Sequence, residues 1–147
     1  MSTRRVSLII TILILGIGVT WFHGKTKADS QRVQNPENGH WYQRINASMS
    51  WNGAKSYCLA QGGHLVTIGS ASENAFVYNL ASGAWLGATD QEQEGNWHWV
   101  TGEPWTYTNW APYEPNNGTW PGHDGDEDYM NFTPAYPGQW NDIPDGN

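Results

Sequence analysis

Glu114-Pro115-Asn116-Asn117, Gly125-Asp126-Glu127-Asp128 and Trp140-Asn141-Asp142 follow one another in a single stretch, and their reading decides the rest. Carboxylates and side-chain amides are hard oxygen donors, the kind that Ca²⁺ takes in sets of about 6–8. No Lys or Arg follows Lys55 to neutralise these acids. A bound cation is therefore expected in this loop.

The charge of the whole chain carries the same message. The formal net charge is −7, but Arg4, Arg5, Lys25 and Lys27 all precede Asp29. From residue 29 onward only Arg32, Arg44 and Lys55 oppose 14 acidic residues, a net of −11. That balance excludes nucleic acid and anionic membrane surfaces as partners of the folded part, and favours cations and neutral polar ligands. Ten Trp and seven Tyr with 17 Gly and 8 Pro predict a loop-rich domain pinned by large amphipathic rings.

Upstream, Met1 to Arg5 precedes an apolar run, Val6 to Phe22, and Thr26-Lys27-Ala28 offers a small-residue cleavage site. Residues 1–28 read as a signal peptide, or as a signal anchor spanning through residues 6–22, and either form exports the rest. Residues 29–39 are polar with turn signals at Asn35-Pro36 and Asn38-Gly39, and read as a linker.

The domain itself is expected over 40–147. His40–Ile45 reads as a strand. Trp51, Ala54, Tyr57, Cys58 and Gln61 follow the helical period after Ser50 and before Gly62-Gly63. His64–Ile68 is a strand, and Ser70-Ala71-Ser72-Glu73 is a capping box opening a helix to Leu80. Ala84–Ala88 reads as a buried strand and Trp97–Thr101 as a hairpin arm. Residues 102–128 lack periodicity but hold Trp105, Tyr107, Trp110, Tyr113 and Trp120, so they predict an ordered functional loop. Tyr129–Phe132 and Gln139–Asn141 close the pattern.

Single Cys58 forms no disulfide within the chain and reads as a small buried hydrophobe. The five His residues lack zinc-site spacing. No nucleophile constellation stands out, and carboxylates needed for a metal are poor general acids, so an enzyme is not expected. The glycosylation-type patterns at Asn46, Asn117 and Asn131 read as accidental.

Taken in order, Gly62-Gly63-His64-Leu65, Ser-x-x-Glu73-Asn74, Trp85-Leu86-Gly87-Ala88, Trp99-Val100-Thr101-Gly102, Trp110, Glu114-Pro115-Asn116 and Trp140-Asn141-Asp142 resemble the C-type lectin-like domain. The resemblance implies an α+β fold, with two helices, small antiparallel sheets and a long Ca²⁺-binding loop. It implies a principal site built from Glu114, Asn116, Glu127, Asn141 and Asp142, beside a cis bond at Pro115, with Asp142 adding a main-chain oxygen. The same five residues would hold two vicinal equatorial sugar hydroxyls of the mannose, glucose or fucose type. An auxiliary Ca²⁺ site would use Asp90, Glu94, Asn117 and Asp128, with Asn117 standing where the family more often has an acid.

The implied function is calcium-dependent carbohydrate binding by an exported module, in a chain that an oligomer or larger parent would make multivalent. The alternative is a protein-interaction or adhesion module in which calcium is only structural. The family's disulfides are missing, with Cys58 in one half-cystine position and Tyr129 in another. Its last strand would lie beyond Asn147, which leaves His40–Ile45 expected as an unpaired edge.

Overall fold

The computed structural model describes residues 7–12, 31–118 and 126–146, the first of these by backbone only. Ten elements follow in order: β1 (Ser7–Ile12), β2 (Val33–Gln34), β3 (Trp41–Ile45), α1 (Trp51–Ala60), β4 (His64–Leu65), α2 (Ala71–Leu80), β5 (Ala84–Thr89), β6 (His98–Trp99), β7 (Tyr129–Phe132) and β8 (Trp140–Ile143). The fold is α+β, with two helices against short, mostly antiparallel strands. The cleavage-site residues 26–28, Trp120 and Gly125 lie outside the described residues.

Both helices start and stop where the sequence says. Ser50 caps α1 by accepting the Gly53 N–H. Its far end is a Schellman motif, in which Gly63 N–H donates to Cys58 C=O and Gly62 N–H to Leu59 C=O. Gly62 has φ +77°, the left-handed value this motif needs. Ser70 caps α2 through the Glu73 N–H. The return half of the capping box is altered, since Glu73 Oε2 accepts from Gly69 N–H at 2.8 Å. Its Oε1 instead takes the Tyr42 hydroxyl and the Asn38 amide, tying α2 to β3.

The strands pair along the path β2-β3-β1-β5-β7-β8, with β4 on β1 and β6 on β5. Two expectations change here. Trp41–Ile45 is not an unpaired edge: Ser7–Ile12, from the apolar run of the leader, runs antiparallel to it with Leu8 opposite Ile45 and Ile12 opposite Trp41. An extended apolar segment thus satisfies N–H and C=O groups that an open edge would leave bare. The same segment runs parallel to β5, the only parallel pairing of named strands among the described residues. The stretch read as a linker also carries a strand, because Val33 and Gln34 pair with Tyr42 and Trp41.

Two apolar clusters fill the interior, one around Tyr42, Val66, Leu86, Met130, Phe132 and Trp140, the other around Trp51, Cys58, Leu65, Trp85 and Tyr129. Tyr129, where the resemblance places a half-cystine, packs its ring on Trp51 at 4.8 Å. Its hydroxyl accepts from the Asn52 amide. Two of the buried indoles have their N–H groups paired, Trp51 donating to Leu86 C=O and Trp85 to Met49 C=O, whereas that of Trp97 is buried without a partner. Cys58 is buried and free, and burial pushes its thiol up to about 12, as an inert core residue requires.

Gly87 marks the tightest approach within this framework. A Cβ there would meet the Leu65 carbonyl oxygen at 2.6 Å and the Val66 carbonyl oxygen at 3.0 Å, both backbone atoms that cannot swing aside. Gly87→Ala is therefore expected to cost at least about 1–3 kcal/mol, the range of overpacked cores. Urea unfolding followed by tryptophan fluorescence measures it, and an unchanged midpoint would contradict the close packing.

Candidate metal centre in the acidic loop

Strand β8 brings the acidic loop to the core. Its residues alternate, with Trp140 and Asp142 buried and Asn141 and Ile143 half-buried. Trp140 fixes the register: Phe132 lies opposite it on β7, and its indole N–H donates to Asn74 Oδ1 at 2.8 Å. On its free side its N–H donates to Asn109 C=O and its C=O accepts from Ala111 N–H. The loop 102–118 is thereby stitched along β8, and Asp142 arrives two residues later beside Asn116.

The Asp142 carboxylate accepts the Asn116 N–H at 3.0 Å and the Asn117 N–H at 2.8 Å. Glu127 Oε2 accepts the Gly118 N–H at 2.8 Å, and the Glu127 N–H donates to Asn117 Oδ1 at 2.9 Å. The Glu114-Pro115 bond is cis, as the resemblance implies. Glu114, Asn116, Glu127 and Asp142 thus share one small region. Asn141 is adjacent, but its amide folds back to donate to Asp142 C=O, the main-chain oxygen assigned to the metal.

Among the described residues no three of the His, Cys, Asp and Glu side chains form a ready-made cage. Asp142 and Glu127 turn toward backbone N–H groups of residues 116–118 instead. One oxygen is left over: Glu114 Oε2 is buried without a hydrogen-bond partner. The Glu114 carboxyl is pushed up to about 7, by burial first and then by proton sharing with Asp142 and the charges of Asp142 and Glu127. It can pair with Asp142 only when protonated, which is the usual behaviour of crowded carboxylates.

The auxiliary set is also brought together. Asp90 Oδ2 accepts the Gly95 N–H, while its Oδ1 is buried without a partner. The Asp90 N–H donates to Asp128 C=O at 3.3 Å. The Asn117 amide donates to Glu94 Oε2 at 2.6 Å, a bond that a carboxylate in its place could not make without a proton. Burial raises the carboxyls of Asp90, Glu94 and Asp128, and nearby acids add to it: Asp142 for Asp90, Asp90 and Asp128 for Glu94, and Asp126 and Asp90 for Asp128. Two buried, partnerless carboxylate oxygens amid uncompensated negative charge fit a hard cation.

Sequence reasoning missed Asn74, which is buried on α2 and holds Trp140 with one end and Gly138 C=O with the other. Its one signal is an amide on the apolar side of the helix, in line with Val77 and Ala81. Tyr113, one of the rings expected to order the loop by packing, is 93% exposed. It also sits at φ +73° in a turn closed by Glu114 N–H on Ala111 C=O.

The comparisons agree with this architecture. A family model described as "Lectin C-type domain" matches residues 47–146, and the chain belongs to that family. The human "C-type lectin domain family 17, member A" is 38% identical over 123 residues, which is 78% of this chain and 30% of that protein. The cow carbohydrate-recognition domain of CD23, solved in the presence of a GlcNAc2Man3 oligosaccharide, is 31% identical with a TM-score of 0.59, covering 67% of this chain and 72% of its own. A calcium-independent type II antifreeze protein is 30% identical with a TM-score of 0.57, over 67% and 72%.

The raised carboxyls set the pH behaviour of the metal-free protein. Glu114 in the folded chain holds a proton up to about 7, whereas its ordinary value is 4.5. Between those values the folded state binds more protons than the unfolded one, so stability falls as pH rises through that window. Asp90, Glu94 and Asp128 shift in the same direction and add to it. In chelator the thermal midpoint is expected to be higher at pH 5 than at pH 8, and added Ca²⁺ is expected to raise it more at pH 8. Calorimetric scans at both pH values measure this, and the opposite order would contradict it.

Proposed function

We propose that the chain is a calcium-dependent carbohydrate-binding module that takes sugars with vicinal equatorial hydroxyls, of the mannose, glucose or fucose type. It works by recognition, without chemistry. The observation that carries the reading is the buried, partnerless Glu114 Oε2 beside Asp142 and Glu127. Glu114, Asn116, Glu127, Asn141 and Asp142 would hold the principal Ca²⁺, whose remaining coordination places suit two sugar hydroxyls. Asp90, Glu94, Asn117 and Asp128 would hold the auxiliary ion. The ion supplies direct coordination of the hydroxyls. The carboxylates around it accept hydrogen bonds from those hydroxyls, and the amides donate to them.

Export belongs to the same proposal, since residues 1–28 read as a signal peptide or anchor and such sites fill where Ca²⁺ is abundant; cleavage or membrane insertion of that segment would take β1 out of the sheet and part β3 from β5. Among the described residues no helix is long and apolar enough to cross a membrane. Single sites of this kind gain strength by repetition, through an oligomer or a larger parent.

A second reading has an observation of its own. Asp142 and Glu127 spend carboxylate oxygens on backbone N–H groups of residues 116–118 rather than presenting them to a sugar. In that reading the domain is a protein-interaction or adhesion module in which calcium is structural. Competition separates the two, because such a module keeps its partner in excess mannose.

Retention on immobilised mannose is expected in Ca²⁺ and not in chelator, and equal retention in both would overturn the first reading. Glu114→Gln combined with Asn116→Asp exchanges a charge for an amide on one side of the ion and the reverse on the other. Its preference is expected to move from mannose toward galactose by about tenfold, or roughly 1.4 kcal/mol. Inhibition curves for the two sugars measure it.

A further inference from the structure

Tyr113 makes no sense as a folding residue. Ala111-Pro112-Tyr113-Glu114 forms a turn with Pro at the second position and φ +73° at the third, closed by Glu114 N–H on Ala111 C=O at 3.0 Å. This is the pattern of a type II turn, whose third position calls for Gly or Asn. A tyrosine there strains the backbone, and its side chain, 93% exposed, recovers nothing by packing. Non-glycine residues held in this way cluster at ligand clamps.

Its place in the chain says which ligand. The next residue is Glu114, a member of the candidate metal centre whose Oε2 is buried without a hydrogen-bond partner. Consecutive Cα atoms are only about 3.8 Å apart. Pro112, Pro115 and Asn116 are exposed around it in the chain, so the ring belongs to an open stretch that also carries two residues of that centre, Glu114 and Asn116. The other large hydrophobics exposed among the described residues, Val33, Leu59 and Tyr136, belong to β2, α1 and the turn between β7 and β8. A lone ring does not make the broad apolar patch of a protein interface. What it offers is a flat, rigid, amphipathic face next in the chain to a proposed calcium ligand.

We infer that Tyr113 is the platform of a second subsite, where the sugar next to the calcium-bound one stacks its C–H face on the ring. The loop then reads a neutral oligosaccharide rather than a single sugar. Neutral is part of the inference, because the surrounding acids, with no Lys or Arg after Lys55, repel sialylated or sulfated chains. The subsite rests on the calcium-dependent reading proposed above.

The test is calorimetric titration, in Ca²⁺, of methyl α-mannoside and an α-linked mannose disaccharide into the full chain and two variants. Tyr113→Gly suits the positive φ and removes the ring; Tyr113→Phe keeps the ring and removes the hydroxyl. The native chain is expected to prefer the disaccharide by about two- to tenfold, the range of one aromatic contact. Tyr113→Gly should lose that preference while its affinity for the methyl glycoside stays within about twofold. Tyr113→Phe should retain the preference.

A Tyr113→Gly protein that still prefers the disaccharide overturns the subsite. So does one that loses both sugars equally, since Tyr113 would then only position Glu114. If the native chain binds the methyl glycoside in Ca²⁺ with no disaccharide preference, the subsite alone is wrong. If it binds neither sugar in Ca²⁺, the calcium-dependent reading fails and the subsite falls with it.

Discussion

The indole of Trp140 joins a loop with no regular structure to a core that has it. The residue is fully buried, and Trp99, Trp105, Tyr107 and Trp110 all pack their rings against it with centroids 5.5 to 6.2 Å away. Three of those rings belong to the loop, which has no helix or sheet to order it. Aromatic contacts of about 0.5–1.5 kcal/mol each, beyond their area, are a plausible substitute for the missing backbone ladder. The backbone of Trp140 completes the tie, pairing with β7 on one side and with Asn109 and Ala111 on the other. Asn74 Oδ1 accepts the indole N–H, so the last polar group of the residue is also paired. Because Asn141 and Asp142 follow at once, the packing that orders the loop also places the acids. Stability and the site therefore share one residue.

Much of this was legible in the sequence because it rests on local rules. Ser50 and Ser70 are caps whose hydroxyls have an obvious N–H to accept, and Gly62-Gly63 can end a helix in only a few ways. The period of Trp51, Ala54 and Cys58 predicted the buried face of α1, and all three are buried. The gathering of Glu114, Glu127 and Asp142 was legible for another reason. Their spacing alone does not bring them together; the resemblance to a known domain did, after the lack of Lys and Arg beyond Lys55 had singled out the stretch.

What was not legible is what depends on partners far away in the chain. Val33-Gln34 has no strand signature of its own, and becomes one by lying along Tyr42 and Trp41. Ser7–Ile12 looks like a signal sequence because it is short, apolar and preceded by arginines; the same apolarity suits a strand, and length alone cannot separate the two. The altered capping box has the same origin. Glu73 could reach its own cap, but one of its oxygens is taken by Tyr42 on β3 and Asn38 in the turn before it. Asn117 was read as a charge lost from the auxiliary site. In the fold its amide bridges Glu94 and the Glu127 main chain, a role that only a group with both donor and acceptor can fill.

That bridging gives the acidic loop a particular economy. Every carboxylate in it has two demands, a hydrogen-bond donor and relief from its neighbours' charge. Backbone N–H groups of Asn116, Asn117 and Gly118 meet the first for Asp142 and Glu127. They carry only partial charge, so the second demand remains, and it falls on Glu114 and Asp90, each with a buried oxygen facing no donor. A loop in which both demands were met would be inert, and one in which neither was met would not hold its shape. Here the shape is set by the amides and aromatic rings, while the unmet charge is confined to two points. A cation arriving there would find these two oxygens free, but Asp142 and Glu127 would first have to release the backbone N–H groups of residues 116–118, so part of its binding energy would go into reordering the loop.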